Sequence, residues 1–244
     1  MAYGIFARYY DALTQNVQYK SRAVYFNEII QKYKPGKGIL LDLACGTGSL
    51  SFEMAKLGYE VIGVDASADM LSIAMQKNTK EPRIMFLNQT MQGLDLYGTV
   101  DAAVCALDSI NHLTADMLAK ALDRLRPFLI PNGIFIFDVN TQYKHREVLA
   151  DNCFVHEHDD VYCVWQNHLQ KDDSVKITLD FFESDDSGSY TRHREELTEY
   201  LHEDEKLREM LKSAGFKVLA VLEADTQSTP GEKSERVVYV TAAD

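Results

Sequence analysis

Cysteine is scarce in this chain of 244 residues, which contains only Cys45, Cys105, Cys153 and Cys163. No two of them form a Cys-x-x-Cys pair, and this excludes a zinc ribbon and a thioredoxin-type motif. The first ten residues have no cationic segment followed by an apolar core, and no apolar run approaches the ~20 residues that span a bilayer. We therefore expect a cytoplasmic protein with reduced thiols and no membrane partner.

Basic residues are also few, with 25 Lys and Arg against 37 Asp and Glu, for a net charge of −12. Residues 1–140 carry 13 basic and 14 acidic side chains, whereas residues 141–244 carry 12 and 23. Since nucleic-acid binding depends on Lys and Arg contacts to phosphate, we expect no nucleic-acid partner. The hydrophobic content of 46% is high enough for a substantial core and argues against disorder.

Strand-like apolar runs alternate with helix-like segments through the first 150 residues, a pattern typical of a parallel, doubly wound α/β sheet. Two aromatic-rich helices are predicted within residues 3–34, ending at Pro35-Gly36. The predicted strands are 38–43, 59–64, 84–87, 100–105 and 133–139. The predicted helices are 49–57, 68–76 (with Ser67 as N-cap), 113–127 and 142–150.

Helical periodicity is lost after residue 150. Strands are predicted within 161–165, 175–179 and 190–195, separated by turns rich in Asp, Ser and Gly. We interpret residues 141–200 as an inserted antiparallel subdomain on the substrate side of a core formed by 1–140 and 201–244. The core is completed by a helix at 203–214 and strands at 216–222 and 236–241.

Four carboxylates lie at or just after the ends of predicted parallel strands: Asp42, Asp65, Asp108 and Asp138. Ligands of doubly wound sheets bind beyond the carboxyl ends of the strands, so a shared pocket is expected there. Glycines at 46 and 48 would let the backbone approach a ligand, and Asp65 could accept hydrogen bonds from ribose hydroxyls. Asp42 would repel a pyrophosphate and attract an ammonium group, although it could instead only brace the glycine turn. The site favours S-adenosylmethionine (SAM) over NAD.

These residues also carry a family resemblance. Asp42-Leu43-Ala44-Cys45-Gly46-Thr47-Gly48 resembles the acid-x-Gly-x-Gly-x-Gly loop of class I SAM-dependent methyltransferases. Residues 64–71 resemble the second-strand segment of that family, and residues 101–113 its fourth strand and following loop. The resemblance covers nearly the whole chain and is greatest to small bacterial members that act on undefined, small-molecule acceptors. It implies a Rossmann-like seven-stranded sheet whose last strand is antiparallel.

The resemblance also implies roles for particular residues. In the family the glycine loop passes under the methionine part of SAM, the acid at the position of Asp65 binds both ribose hydroxyls, and an aromatic N-terminal helix covers the amino acid end. The implied cofactor-binding residues are Tyr10, Asp42, Ala44, Cys45, Gly46, Gly48, Asp65, Ala66, Met70, Thr90, Met91 and Asp108. Two departures stand out. Ala44 replaces a glycine, which is tolerable if the backbone there is not left-handed, and Thr90 replaces an acid that would bond the adenine amino group.

Methyl transfer to a nucleophile needs alignment, exclusion of water and, for some acceptors, removal of a proton. Asp108, Asn111 and His112 follow the fourth predicted strand, near the expected position of the methyl group. We take Asn111 and His112 as catalytic candidates, for substrate orientation and as a base; the alternative is that this loop only caps a helix. The loop lacks the Pro-Pro-aromatic signature of amino-methylating DNA enzymes, which disfavours exocyclic amines of nucleic acid.

Two other functions remain open from the residues alone. A non-catalytic SAM-binding module would keep Asp65 and the glycine loop but would need no substrate cavity. An NAD-dependent oxidoreductase would use residues 46–51, which partly match Gly-x-Gly-x-x-Gly. A further alternative concerns the segment 156–160, where His156, His158 and Asp160 would share one face of a strand and could hold a metal. We favour a solvated acidic turn there and expect no metal.

Overall fold

The computed structural model describes residues 4–79, 83–159 and 161–244. A seven-stranded sheet has the order β10-β11-β5-β4-β1-β2-β3. Six strands run in the same direction and β11 runs opposite to them, so the predicted Rossmann-like sheet with a reversed last strand is confirmed. The strands are β1 (Ile39–Leu43), β2 (Glu60–Asp65), β3 (Met85–Asn88), β4 (Val100–Cys105), β5 (Leu129–Asn140), β10 (Phe216–Glu223) and β11 (Arg236–Ala243).

Helices cover both faces of this sheet and bury two apolar clusters against it. The α-helices are α1 (Gly4–Leu13), α2 (Tyr19–Tyr33), α3 (Ser49–Lys56), α4 (Ala68–Lys77), α5 (Ala115–Leu125) and α6 (Asp204–Ser213). Ser67 caps α4 as predicted, because its hydroxyl accepts a hydrogen bond from Met70 N at 3.2 Å. The aromatic helices are where the sequence placed them, although Tyr3 lies outside the described residues. No described helix is both long and apolar enough to cross a membrane.

A second, four-stranded antiparallel sheet follows β5, with the order β6-β7-β8-β9. Its strands are β6 (Cys153–His158), β7 (Val161–Leu169), β8 (Val175–Ser184) and β9 (Tyr190–Glu199). Apolar residues alternate along β8, and its buried face joins Leu197 of β9 in a third cluster with residues of α1 and α4, which includes Phe6, Met70 and Ile177. This sheet therefore has an inner face toward the core domain and an outer face toward solvent.

Three local predictions were wrong. Strand β5 starts at Leu129 instead of 133, because residues 130–133 form an irregular extension within it. Residues 144–149 form a π-helix in which Ala150 N donates to His145 O, five residues earlier, where an α-helix was expected. Residues 156–158 belong to β6 and not to an acidic turn, because they pair with β7.

Candidate active site

One large cavity, about 790 Å³ in volume, opens at the carboxyl ends of the parallel strands. Its floor is formed by residues after β1, β2, β4 and β5, and its roof by α1 and the inner face of the four-stranded sheet. The volume lies within the range of sites that enclose a cofactor or a drug-sized molecule. Of the predicted site residues, the cavity is lined by Tyr10, Ala44, Gly46, Asp65, Ala66, Met70, Thr90, Met91, Asp108 and His112.

Asp65 organises the end of β2. Its Oδ2 accepts a hydrogen bond from Gly46 N and its Oδ1 one from Ser67 N, both at 2.8 Å. Burial raises the pKa of Asp65, and these two hydrogen bonds oppose that effect. Each carboxylate oxygen keeps a second lone pair, so the side chain can still accept hydrogen bonds from a ligand in the cavity.

The glycine loop between β1 and α3 is tightly constrained. Gly48 has φ +78°, and a Cβ there would lie 2.9 Å from the Phe86 ring, so only glycine fits. Ala44 has φ +56°, so the condition under which alanine was expected to be tolerated is not met. Alanine is thus held in a left-handed conformation that favours glycine.

Asp42, Cys45 and Gly48 lie behind the cavity wall and not on its surface. The Asp42 carboxylate is 2% exposed and accepts a hydrogen bond from Ser51 Oγ in α3. Burial raises the pKa of Asp42 to about 7, the Ser51 bond opposes that effect, and nearby Asp65 adds to it. The geometry therefore suits a bracing role beneath the loop.

Residues after β3 form the other end of the cavity. The Thr90 hydroxyl is occupied as the cap of a short 3₁₀ helix (Met91–Gly93), since it accepts from Gly93 N at 3.1 Å. Gln92 also lines the cavity, and its buried Nε2 has no hydrogen-bond partner. A buried amide donor without a partner is costly unless a ligand accepts from it. Sequence reasoning missed Gln92, although it lies two residues from the expected acid.

Helix α1 covers the cavity and is fixed at both ends. The Glu195 Oε1 atom, on the inner face of β9, accepts from Ile5 N and Phe6 N at 3.1 and 3.0 Å. At the other end Asp11 accepts from Thr47 Oγ1 and pairs with Lys77 at 2.7 Å. Burial raises the pKa of Tyr10, which lies between them and lines the cavity.

The loop after β4 is strained and points into the cavity. Leu107 and Asp108 have φ of +59° and +52°, and the Asp138 carboxylate accepts from both of their backbone N–H groups at 3.0 and 2.6 Å. Consecutive non-glycine residues in this region cost conformational energy, so the loop depends on the buried Asp138. Asp138 also accepts from Arg22 Nη1 at 3.3 Å, and Arg22 lines the cavity.

The two catalytic candidates have different surroundings. The His112 ring lines the cavity, and its Nδ1 lies 3.2 Å from the Thr198 carbonyl oxygen. A carbonyl can only accept, so Nδ1 carries a proton, and in the neutral ring Nε2 is the nitrogen with a lone pair. Asn111 is fully buried; its Nδ2 donates to Tyr200 O and its Oδ1 accepts from Asn140 N. Asn111 does not line the cavity, and its bonds are those of a bracing residue.

A polar network that sequence reasoning missed forms the far wall of the cavity. Its centre is Asn140 at the end of β5, whose Nδ2 donates to Asp108 Oδ2 at 2.8 Å and to Glu199 Oε2 at 2.7 Å. The Asn140 Oδ1 accepts from Lys144 and Arg236. Arg236 forms an ion pair with Asp108 at 2.9 Å, and the pKa of Asp108 is far below its usual value; burial acts against this, and Arg236 is the largest factor favouring it.

The inner face of the four-stranded sheet supplies the roof. Trp165, Ile177, Leu197 and Glu199 line the cavity from it, together with His156. Tyr162, His168, Tyr190, Arg192 and Arg194 lie on the outer face instead, as strand pairing requires. No group of potential metal ligands occurs among the described residues, from which Asp160 is missing.

Comparisons with known proteins agree with this geometry. A family profile described as "Methyltransferase domain" matches residues 40–133. The chain is 35% identical to Bacillus subtilis YqeM, a protein whose name assigns it provisionally to the methyltransferases, over 98% of this chain and 96% of that one. A solved structure of a SAM-dependent methyltransferase from Clostridium acetobutylicum superimposes with a TM-score of 0.88 at 30% identity, covering 99% and 98% of the two chains.

A more distant similarity is to the dTDP-3-amino-3,6-dideoxy-alpha-D-glucopyranose N,N-dimethyltransferase of Streptomyces fradiae. The identity is 30%, over 55% of this chain and 53% of that protein.

Proposed function

The chain belongs to the SAM-dependent methyltransferases, and from that premise we propose that it transfers a methyl group from SAM to a small-molecule acceptor. The observation that carries the proposal is the continuity of the cavity. It runs from Asp65 and Met91 to the polar network around Asn140, and so has room for an acceptor beside the cofactor. A module that only bound SAM would not need this second half. The Streptomyces relative, which acts on an amino sugar nucleotide by its name, supports a small acceptor.

The residues present fit SAM. Asp65 would hold the ribose hydroxyls, Ala66, Met70, Thr90 and Met91 would flank the adenine, and the unpartnered Gln92 amide would donate to it. Gly46 and Ala44 would contact the methionine part, together with Tyr10 from the lid and Asp108. When bound, SAM supplies an electrophilic methyl group on a sulfonium.

The chain itself then has three tasks: to orient the acceptor, to exclude water and to take up a proton where the nucleophile carries one. Helix α1 and the roof exclude water. The polar network around Asn140 orients the acceptor. His112, which lines the cavity and whose Nδ1 is occupied by the Thr198 carbonyl, is the proposed base through its Nε2.

The domain organisation follows the same division. Residues 1–140 and 201–244 form the cofactor-binding core with its helical lid, and residues 141–200 form a subdomain on the acceptor side. Support comes from Trp165, Ile177 and Leu197, which face the cavity from that subdomain. The unpaired cysteines fit a cytoplasmic location, which fractionation of cells that express the tagged protein would test.

Calorimetric titration with SAM and, separately, with NAD tests the cofactor. We expect Asp65→Ala to weaken SAM binding by about tenfold or more, because a hydrogen bond to a charged group contributes roughly 1.5–3 kcal/mol. Asp186→Ala, at the exposed tip of the β8–β9 hairpin, is the matched control. Unchanged SAM affinity in Asp65→Ala, with the folded state verified by circular dichroism, would refute this placement of the ribose.

Incubation of the protein with labelled SAM and a small-molecule extract tests the reaction. We expect a low-molecular-mass compound to gain the label, and His112→Gln to lower kcat more than the affinity for SAM. Tight SAM binding without any labelled acceptor in a broad metabolite screen would favour the non-catalytic module instead.

A further inference from the structure

Two cationic side chains converge on a single neutral oxygen in the far wall of the cavity. Lys144 Nζ lies 3.1 Å from Asn140 Oδ1, and Arg236 Nε lies 3.3 Å from the same atom. Like charges this close repel unless an anion lies between or beside them. Both side chains line the cavity, so an anion could reach them from it.

The two cationic side chains differ in their ion-pair partners. Arg236 has an ion-pair partner in Asp108, at 2.9 Å. Lys144 has none within 4.0 Å among the residues that the structure describes, and Asn140 Oδ1 is the acceptor recorded for its ammonium group. An ammonium carries three N–H donors, so Lys144 has donors left for a ligand.

The carboxylates of this wall lie on the other side of Asn140. Asp108 and Glu199 both accept from its Nδ2, whereas the two cations approach its Oδ1. The His145 Nε2 atom lies 3.5 Å from Glu199 Oε2 but forms no hydrogen bond with it. Glu235 is exposed at the cavity mouth. Arg236 is balanced by its ion pair with Asp108, so Lys144 is the cation of this wall that has no ion-pair partner among the described residues.

The surroundings of Lys144 agree with this view. Burial, with a further contribution from Arg236, lowers the pKa of Lys144, and the nearby carboxylates only partly oppose this. A bound anion would stabilise the charged form of the side chain. Across the cavity, Trp165, Ile177 and Leu197 offer an apolar surface for the rest of a ligand.

From this arrangement we infer that the methyl acceptor carries an anionic group, a carboxylate or a phosphate, which binds Lys144 beside Arg236 while its apolar part packs on Trp165, Ile177 and Leu197. The inference rests on the proposed function, since it assigns the acceptor half of the same cavity. It excludes neutral and purely cationic acceptors.

The binding test uses the protein saturated with S-adenosylhomocysteine and three probes: benzoate, its neutral analogue benzamide, and inorganic phosphate. We expect one of the two anions to bind at least tenfold more tightly than benzamide, as measured by calorimetry. This anion is benzoate if the acceptor carries a carboxylate and phosphate if it carries a phosphate group. Lys144→Gln should abolish this preference, and Lys144→Arg should restore most of it. Lys176→Gln, on the outer face of the four-stranded sheet and paired there with Glu196, is the control and should leave it intact.

Binding of both anions no tighter than that of benzamide, or failure of both anions to bind at millimolar concentration, would overturn the inference. So would an anion preference that survives Lys144→Gln. SAM affinity is measured in the same variants. If a Lys144 variant loses the anion preference but still binds SAM, the effect concerns Lys144 alone. If the unmodified protein does not bind SAM, the proposed function itself is refuted. The charge of the compound methylated in the extract gives a second reading, because a neutral or purely cationic acceptor contradicts the inference.

Discussion

Single residues of the cofactor half were accessible from the sequence, because they lie in short motifs next to strand ends. Asp65 and Gly46 line the cavity as their local patterns indicated, and Met91 lines it as the family resemblance implied. The acceptor half was not accessible, because Asn140, Glu199 and Arg236 are far apart in the chain and meet only through tertiary structure. The surroundings of Asn111 were not accessible for the same reason, since its partners come from β5 and from residue 200.

Ala44 provides a test at the scale of one backbone angle. The φ of +56° at Ala44 costs an L-residue about 1–2 kcal/mol. Glycine avoids this cost, but part of the gain is cancelled because an unfolded chain with glycine has more conformational entropy. We expect Ala44→Gly to raise the free energy of unfolding by roughly 0.5–1 kcal/mol. Denaturant unfolding measures this, with Ala119→Gly in the middle of α5 as the control, which should destabilise. Destabilisation by both substitutions would show that Ala44 is not strained.

Asp42 gives stability a dependence on pH. Since burial raises its pKa to about 7, folded protein keeps a proton that the unfolded chain, with an aspartate pKa of about 3.9, releases at lower pH. The free energy of unfolding therefore falls as pH rises through this window. Relative to Asp42→Asn, the wild-type protein should lose up to about 4 kcal/mol between about pH 4 and pH 7. Urea denaturation at several pH values measures the difference; parallel curves for the two proteins would contradict it.

At the scale of elements, alternation of strands and helices predicted most of the core, and strand-like runs between turns rich in Asp, Ser and Gly located β7, β8 and β9. The exceptions have local causes. Strand β6 carries His156, Glu157 and His158, whose polar character imitates a turn, although pairing with β7 decides their conformation. The backbone hydrogen bonds of the π-helix at 144–149 span one residue more than those of an α-helix, and the sequence pattern of so short a segment cannot distinguish the two.

Two carboxylates of the roof hold helix α1: Glu195 accepts from two N–H groups of its first turn, and Glu183 accepts from the Tyr9 hydroxyl and pairs with Arg8. A substitution at Glu195 tests the first of these ties. Glu195→Ala removes the acceptor of Ile5 N and Phe6 N, so we expect faster hydrogen exchange in α1. SAM should dissociate about tenfold faster or more, because hydrogen bonds to a charged group contribute about 1.5–3 kcal/mol each. Stopped-flow displacement measures the rate. Glu196→Ala, the neighbouring residue on the outer face, is the control, and equal behaviour of the two variants would exclude a closing role for α1.

For the whole molecule, the acidic excess of residues 141–244 bears on partners. The subdomain beside the acceptor cavity contributes to that excess, so a polyanion approaching the cavity mouth would meet repulsion. We expect no binding of RNA or DNA at physiological salt, as measured by filter retention, and no increase in methylation when either is added as acceptor. Retention that falls steeply with added salt would contradict this prediction.

Strand β9 contacts both the helix that covers the cavity and the polar network in its far wall. Glu195 holds α1 over the cavity, and Glu199, four residues further along the same inner face, belongs to the polar network around Asn140. A displacement of this strand that admits an acceptor would therefore also loosen the cover over SAM. Release of the spent cofactor and release of the methylated compound would then depend on the same opening motion. The rate of that motion would limit turnover.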